Sequence, residues 1–235
     1  MSTDACILLL HAATPVHVGV DQGLGAIDLP TMRAVHTGDP LIPGSSLKGV
    51  LRDRAEGDAR YTRDPKGEVR DPTYQRRVES AFGPPQERAG DFQGGLCFGD
   101  AGVLALPVRS LSGTFAWVTC PRLLRRYNED ARAAGVATLP VPAAARGLAD
   151  GRALGTSTSV LPVDSAAPEL RVFLEDLLFT LARDPAMDTA AATLGGLLWP
   201  DDDAAKEALA QRLLLVSDDI FSFSTRTALE VRARV

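Results

Sequence analysis

Between Ile42 and Arg52 the chain reads Ile-Pro-Gly-Ser-Ser-Leu-Lys-Gly-Val-Leu-Arg, and no other stretch restricts the backbone as much. The proline and glycine force a turn. The serines that follow stand just before Leu47, Val50 and Leu51, which recur at helical spacing, so a helix starts here with Ser45 or Ser46 as its expected cap. Lys48 and Arg52 lie four apart and share a face of that helix. The first N–H groups of a helix have no internal partner, and the helix dipole adds partial positive charge beside them. With two hydroxyls and a lysine nearby, the turn makes a phosphate site. It is not a Walker A loop, because the G-x-x-x-x-G-K-[ST] order is absent. An ordinary cap followed by a surface lysine accounts for the same residues, so the motif alone leaves both readings open.

The remaining pattern predicts a mixture of helices and strands. Residues 5–12 read as a buried strand, because positions 6–10 are continuously apolar. Residues 14–25 and 27–43 carry turn signals and form irregular segments. Short helices are expected over 74–82 and over 121–132, the second opened by Pro121 and closed by Gly135. Strands are expected over 96–108, 115–118 and 213–216, helices over 169–182 and 204–212, and a loop over 137–159. Residues 229–235 alternate, with Leu229, Val231, Ala233 and Val235 on one face and Glu230, Arg232 and Arg234 on the other, the mark of a half-buried strand. The order β, α, β, β, α, β with insertions predicts an α+β fold with a ferredoxin-like, RRM-like core.

Composition narrows the class of protein. With 235 residues, 45% hydrophobic and 23% charged, the chain can bury a sizeable core. It has no signal-type opening and no apolar run of membrane length, so a soluble, cytoplasmic protein is expected. Cys6, Cys97 and Cys120 are far apart, lack zinc spacing and fit buried reduced thiols. The net charge of −5 argues weakly against nucleic acid, yet Arg33, Lys48, Arg52, Arg54, Arg60, Arg63, Lys66, Arg70, Arg76 and Arg77 crowd one stretch. They leave room for a local basic groove, or are part of a solvated surface of mixed sign.

Two further groups can carry chemistry. His17, Asp21 and Asp28 lie in one glycine-rich segment. When RNA is cut by its own 2′-OH, a group must take the hydroxyl proton and something must neutralise the phosphate. A carboxylate can act as base or help hold Mg2+. An ordinary Asp, with a pKa near ~3.9, is a weak base at neutral pH, so Asp28 would need a metal or a desolvated site. His17 could orient the backbone or share the proton work. A turn aspartate and a loop histidine are the plain alternative. At the other end, Arg232 and Arg234 suit a phosphate backbone, or are the outer face of a solvated strand. Aromatics are only 6% of the chain, and no RNP-type stacking platform is evident.

Read as one string, Asp28-Leu-Pro-Thr-Met-Arg33 followed by His36-Thr-Gly-Asp-Pro-Leu-Ile-Pro-Gly-Ser-Ser-Leu-Lys-Gly-Val-Leu-Arg-Asp53 resembles the repeated backbone subunit of type III-B CRISPR (Cmr) complexes, within the RAMP superfamily. The segments from Thr14 to Gly19, Leu111 to Pro121, Val216 to Phe221 and Thr225 to Val231 resemble the same family. The resemblance implies a single RAMP domain over 1–235, an RRM-like palm with finger insertions at roughly 53–95 and 135–165. It implies copies stacked in a helical filament along a CRISPR RNA, beside other subunits of the effector complex, with the paired target RNA cut at regular intervals. Cleavage would depend on Mg2+ or another divalent cation and leave a 2′,3′-cyclic phosphate. The implied catalytic residues are Asp28, His17 and Glu230, with Asp28 also the metal residue. The implied RNA-binding residues are Ser45, Ser46, Lys48 and Arg52, with Arg33 and His36 of the same block. The family usually continues into a C-terminal β-hairpin thumb, which is expected to be missing from a sequence that stops at Val235. A non-catalytic RNA-coating subunit of a type III complex is therefore the alternative.

Overall fold

The computed structural model describes residues 4–19, 31–58 and 71–229. They form two compact units, one from the described residues of Met1–His17 and Val103–Val235, the other from those of Val18–Gly102.

The second of these units is built on β1 (Leu41–Ile42), α1 (Gly44–Glu56), α2 (Pro72–Phe82) and β2 (Ala101–Gly102). β1 and β2 pair antiparallel, Leu41 opposite Gly102 and Ile42 opposite Ala101. α2, expected over 74–82, begins two residues earlier. Asp71 accepts from the N–H groups of Thr73 and Tyr74 at 2.9 and 3.0 Å, and Pro72 fills the first helical position. Gly83, at φ 99°, ends the helix.

The other unit contains β3 (Leu106–Arg109), β4 (Phe115–Thr119), α3 (Pro121–Ala134), β5 (Arg152–Gly155), β6 (Arg171–Leu174), β7 (Leu177–Arg183), α4 (Pro185–Leu198), α5 (Asp203–Arg212), β8 (Leu213–Leu215) and α6 (Asp218–Leu229). Its six strands lie in the order β3-β4-β8-β5-β7-β6. The β4–β8 and β5–β7 pairs are parallel and the others antiparallel. The sheet curls until its edge strands meet. Ser110 bridges Leu174, and the Glu175 N–H donates to the Arg109 carbonyl at 2.9 Å. The two edges are thus tied together at one end.

Side chains alternate across this curled sheet. Val108, Val118, Leu214, Ala153, Phe179 and Val172 turn to one face, joined by Leu123 of α3 and Phe221 of α6. Leu154, Leu213 and Leu215 turn to the other, where α3, α4 and α5 cover them with Tyr127, Met187 and Leu209. The α+β class expected from the sequence is met. Among the described residues, no helix is long and apolar enough to cross a membrane.

Several local expectations are corrected. Residues 5–12 form no strand. This segment packs instead against the core that α4 and α5 cover, with Ile7 and Leu9 turned in and His11 edge-on to Trp117 and Trp199. The helix expected over 169–182 is the β6–β7 hairpin. Its turn is Glu175-Asp176, with Glu175 at φ 49°, and it lacks the glycine or asparagine that would have signalled it. Alternate residues Val172, Leu174, Phe179 and Leu181 reach the core, a strand period that leucine content had masked. The 137–159 loop contains β5, and the expected 96–108 strand is split into β2 and β3. Leu229, expected in a strand, ends α6; residues 230–235 lie outside the described residues.

Only one cysteine is buried. Cys6 and Cys97 are exposed, because neither the 5–12 segment nor the 91–100 segment is covered on that side. Burial pushes the Cys120 thiol up to about 12, and the Asp218 carboxylate beside it adds to the shift. The thiol is therefore neutral and inert at pH 7.

Leu214 is 0% exposed and Leu178 46% exposed. Leu214→Ala should cost about 2–5 kcal/mol, whereas Leu178→Ala should stay within about 0.5 kcal/mol. Both tryptophans, Trp117 and Trp199, lie in this unit. Urea unfolding followed by tryptophan fluorescence will read the difference directly. Equal losses would mean that β8 is not the buried centre of the sheet.

Candidate nucleic-acid interface

The helix start singled out in the sequence is present, and the structure shows what holds it. α1 follows β1 after a single residue, Pro43, so the β1–β2 pairing sets where the helix begins. Gly44 is its first residue and is buried. A Cβ there would collide with the Phe98 carbonyl oxygen and approach the Gly99 oxygen to 2.9 Å, so only glycine fits the crossing. No side chain of the turn caps the helix. The Gly44 N–H instead donates to the Asp100 carboxylate at 2.8 Å, a partner 56 residues away. Ser45 and Ser46, expected as caps, sit inside the first turn instead and are exposed. Their backbone N–H groups have no hydrogen-bond partner among the described residues. That leaves two amides, two hydroxyls and the helix dipole facing outward.

The cations nearby differ in how free they are. Lys48 is half-buried and has no ion pair among the described residues. Arg52 is already engaged. Its Nε donates to Glu56 at 2.7 Å and its Nη2 to the Pro84 carbonyl at 3.1 Å, tying α1 to the end of α2. The Tyr74 hydroxyl makes a second tie, to the Ala55 carbonyl, at 3.3 Å. Arg33 donates from Nη1 to the Gly38 carbonyl at 2.8 Å and closes the turn that carries the exposed His36. The structure thus gathers Arg33, His36, Ser45, Ser46, Lys48 and Arg52 in one unit, with Ser45, Ser46 and Lys48 the groups best placed to take a ligand. His17 belongs to the other unit and is exposed. Asp28 and Glu230 lie outside the described residues. Among the described residues, no group of three or more His, Cys, Asp or Glu is placed to hold a metal ion. Sequence reading missed Asp100. A carboxylate capping a helix from so far along the chain leaves no local signal.

The chain belongs to the RAMP superfamily, whose pattern it matches over residues 9–235. It is 29% identical over 231 residues to the CRISPR system Cmr endoribonuclease Cmr4 of Pyrococcus furiosus, a match covering 98% of this chain and 70% of that protein. The crystal structure of oligomeric Cmr4 from Pyrococcus furiosus superposes with a TM-score of 0.67 at 28% identity, over 93% of this chain and 71% of that one. A chain of the type III-B Cmr-beta complex bound to cognate target RNA, solved by cryo-electron microscopy, shares the fold with a TM-score of 0.56 at 16% identity, over 89% and 65% of the two chains.

Alanine normally stabilises a helix by about 1 kcal/mol relative to glycine. Gly44→Ala should do the reverse, because its methyl group meets backbone that cannot step aside. Hydrogen exchange at the α1 amides should accelerate several-fold in this variant. Slower exchange would show that the crossing at Phe98 is loose.

Proposed function

We propose that this chain is a CRISPR RNA-binding backbone subunit of a type III-B effector complex that cleaves guide-paired target RNA at regular intervals. The observation that carries the reading is the exposed first turn of α1, with N–H groups at Ser45 and Ser46 that have no partner among the described residues, their hydroxyls, and Lys48. Such a site grips phosphate and ignores bases, which suits a subunit that coats a guide whose sequence is read by base pairing. Likeness along nearly the whole chain to a Cmr endoribonuclease supports cleavage as the activity. An oligomeric relative supports association of copies of the chain; their stacking along one guide RNA, beside other subunits of the complex, belongs to the proposal.

The cleavage step assigned here is transesterification. The target's 2′-oxygen bonds to the adjacent phosphorus, the bond from phosphorus to the 5′-oxygen breaks, and a 2′,3′-cyclic phosphate forms. The 2′-OH proton passes to a base and the leaving 5′-oxygen takes one up. Asp28 is proposed as the base-side carboxylate, with His17 and Glu230 sharing proton transfer and orientation. A divalent cation, Mg2+, is proposed at Asp28, where it would offset phosphate charge. The finger insertions and a cytoplasmic location belong to the same proposal.

Asp28→Asn should abolish regularly spaced cleavage of a guide-complementary RNA by the reconstituted complex and leave guide binding intact. Chelation with EDTA should silence the wild type in the same assay. If the wild type holds guide and target yet makes no spaced cuts with Mg2+ present, the chain is the non-catalytic RNA-coating subunit instead.

A further inference from the structure

α2 carries a second cationic feature, separate from the first turn of α1. Thr73, Arg76, Arg77 and Ser80 line one side of an open groove of about 690 Å3, and Gly95 and Leu96 line the other. On a helix these four residues fall three or four apart and share a face. Neither Arg76 nor Arg77 has a hydrogen bond or ion pair among the described residues, and both are exposed. The nearest acid on the same helix, Glu79, is committed elsewhere. It accepts from Gln75 at 2.8 Å and from Arg88 at 2.9 Å. The groove floor is also satisfied, because the N–H groups of Gly95 and Leu96 donate to the carbonyls of Ser80 and Ala81 at 2.8 and 2.9 Å.

What the groove offers a ligand is therefore two guanidiniums, two hydroxyls and an apolar wall ended by the exposed Leu96 side chain. Among the described residues no carboxylate lines it, although acidic residues outnumber basic ones in the chain, 30 to 25. Two positive charges, with hydroxyls that can donate beside them, favour an anion. Adjacent guanidiniums suit the repeated charge of a phosphate backbone, and the apolar wall suits a sugar or base face. An acidic protein segment would satisfy the charge but would leave the open, unlidded apolar wall without a purpose.

We propose that this groove is a second RNA-backbone site, in which Arg76 and Arg77 each neutralise a phosphate of single-stranded RNA. The proposal rests on the RNA-binding reading above and extends it to a surface that the α1 motif does not include.

The test is the salt dependence of binding by the full chain to a fluorescent single-stranded RNA of mixed sequence. Each lost phosphate contact should reduce the slope of log K against log salt by about 0.7. The Arg76→Ala/Arg77→Ala double variant should therefore lose about 1.4 of slope, which reduces the affinity change between 50 and 200 mM salt by about sevenfold. Alanine suits an exposed helix position, so the variant should fold, and circular dichroism checks that. The Arg76→Lys/Arg77→Lys variant keeps both charges and should keep most of the slope. An unchanged slope in the alanine variant overturns the site, and so does an equal loss in the lysine variant. An unchanged RNA slope with lost retention of other complex subunits would reassign the groove to a protein partner, which also overturns it. Lys48→Ala, measured in parallel, separates the two claims. If it lowers the slope while the arginine variant does not, only this groove fails. If the wild type shows no salt-dependent RNA binding, the RNA-binding reading itself fails.

Discussion

Three consecutive leucines, Leu213, Leu214 and Leu215, leave β8 no exposed face. Leu214 enters one core while Leu213 and Leu215 enter the other. A strand buried on both sides must be central, and β8 lies between β4 and β5, parallel to the first and antiparallel to the second. The curl of the sheet, the meeting of β3 with β6 and the seating of α4 and α5 all follow from that placement. So does the start of α6. Val216 and Ser217 lead directly from β8 to Asp218, whose carboxylate accepts the Arg122 N–H at the first turn of α3, at 2.9 Å. One carboxylate thus serves the N-terminal turns of two helices, where negative charge is most favourable.

In the unit that carries α1 the organising constraint is different. It has little side-chain burial along α1, where only Gly44 is fully buried. Backbone proximity does the positioning: Gly44 passes against Phe98, Asp100 caps from across the chain, and Arg52 and Tyr74 tie α1 to α2. A helix held by its buried end and by one flank keeps its other flank open. An open flank with a free first turn is what a phosphate-binding element requires, because the ligand supplies the missing partners.

Much of this was legible in the sequence where the signal is local. The start of α3 followed from Pro121, and Gly135 closes it as read; α2 was expected over 74–82 and begins two residues earlier, at Pro72. β4, α5 and β8 stood near their expected positions. The failures share a cause, which is dependence on partners remote in sequence. Residues 5–12 have a strand's composition but pack on the core through Ile7 and Leu9 instead of pairing. The β6–β7 hairpin turns on Glu175-Asp176, whose residue types do not announce a turn. α4, rich in alanine and small residues, went unread because its apolar content is spread around the helix. For the site, residue types pointed to Ser45, Ser46 and Lys48, but only coordinates reveal that Arg52 is spent on Glu56 and Pro84, or that Asp100 does the capping.

The central claim is that α1 meets RNA through its first turn. The most direct measurement is photo-cross-linking of a 4-thiouridine-substituted guide RNA to the assembled complex, with adducts mapped by mass spectrometry of tryptic peptides. The account predicts adducts on the peptide spanning residues 34–48, which carries Ser45, Ser46 and Lys48, and their loss under high salt. In Lys48→Ala trypsin no longer cuts at 48, so the same region is read on the peptide spanning residues 34–52, whose adducts should be lost. Adducts confined to residues 103–229, with none on the 34–48 peptide, would contradict it.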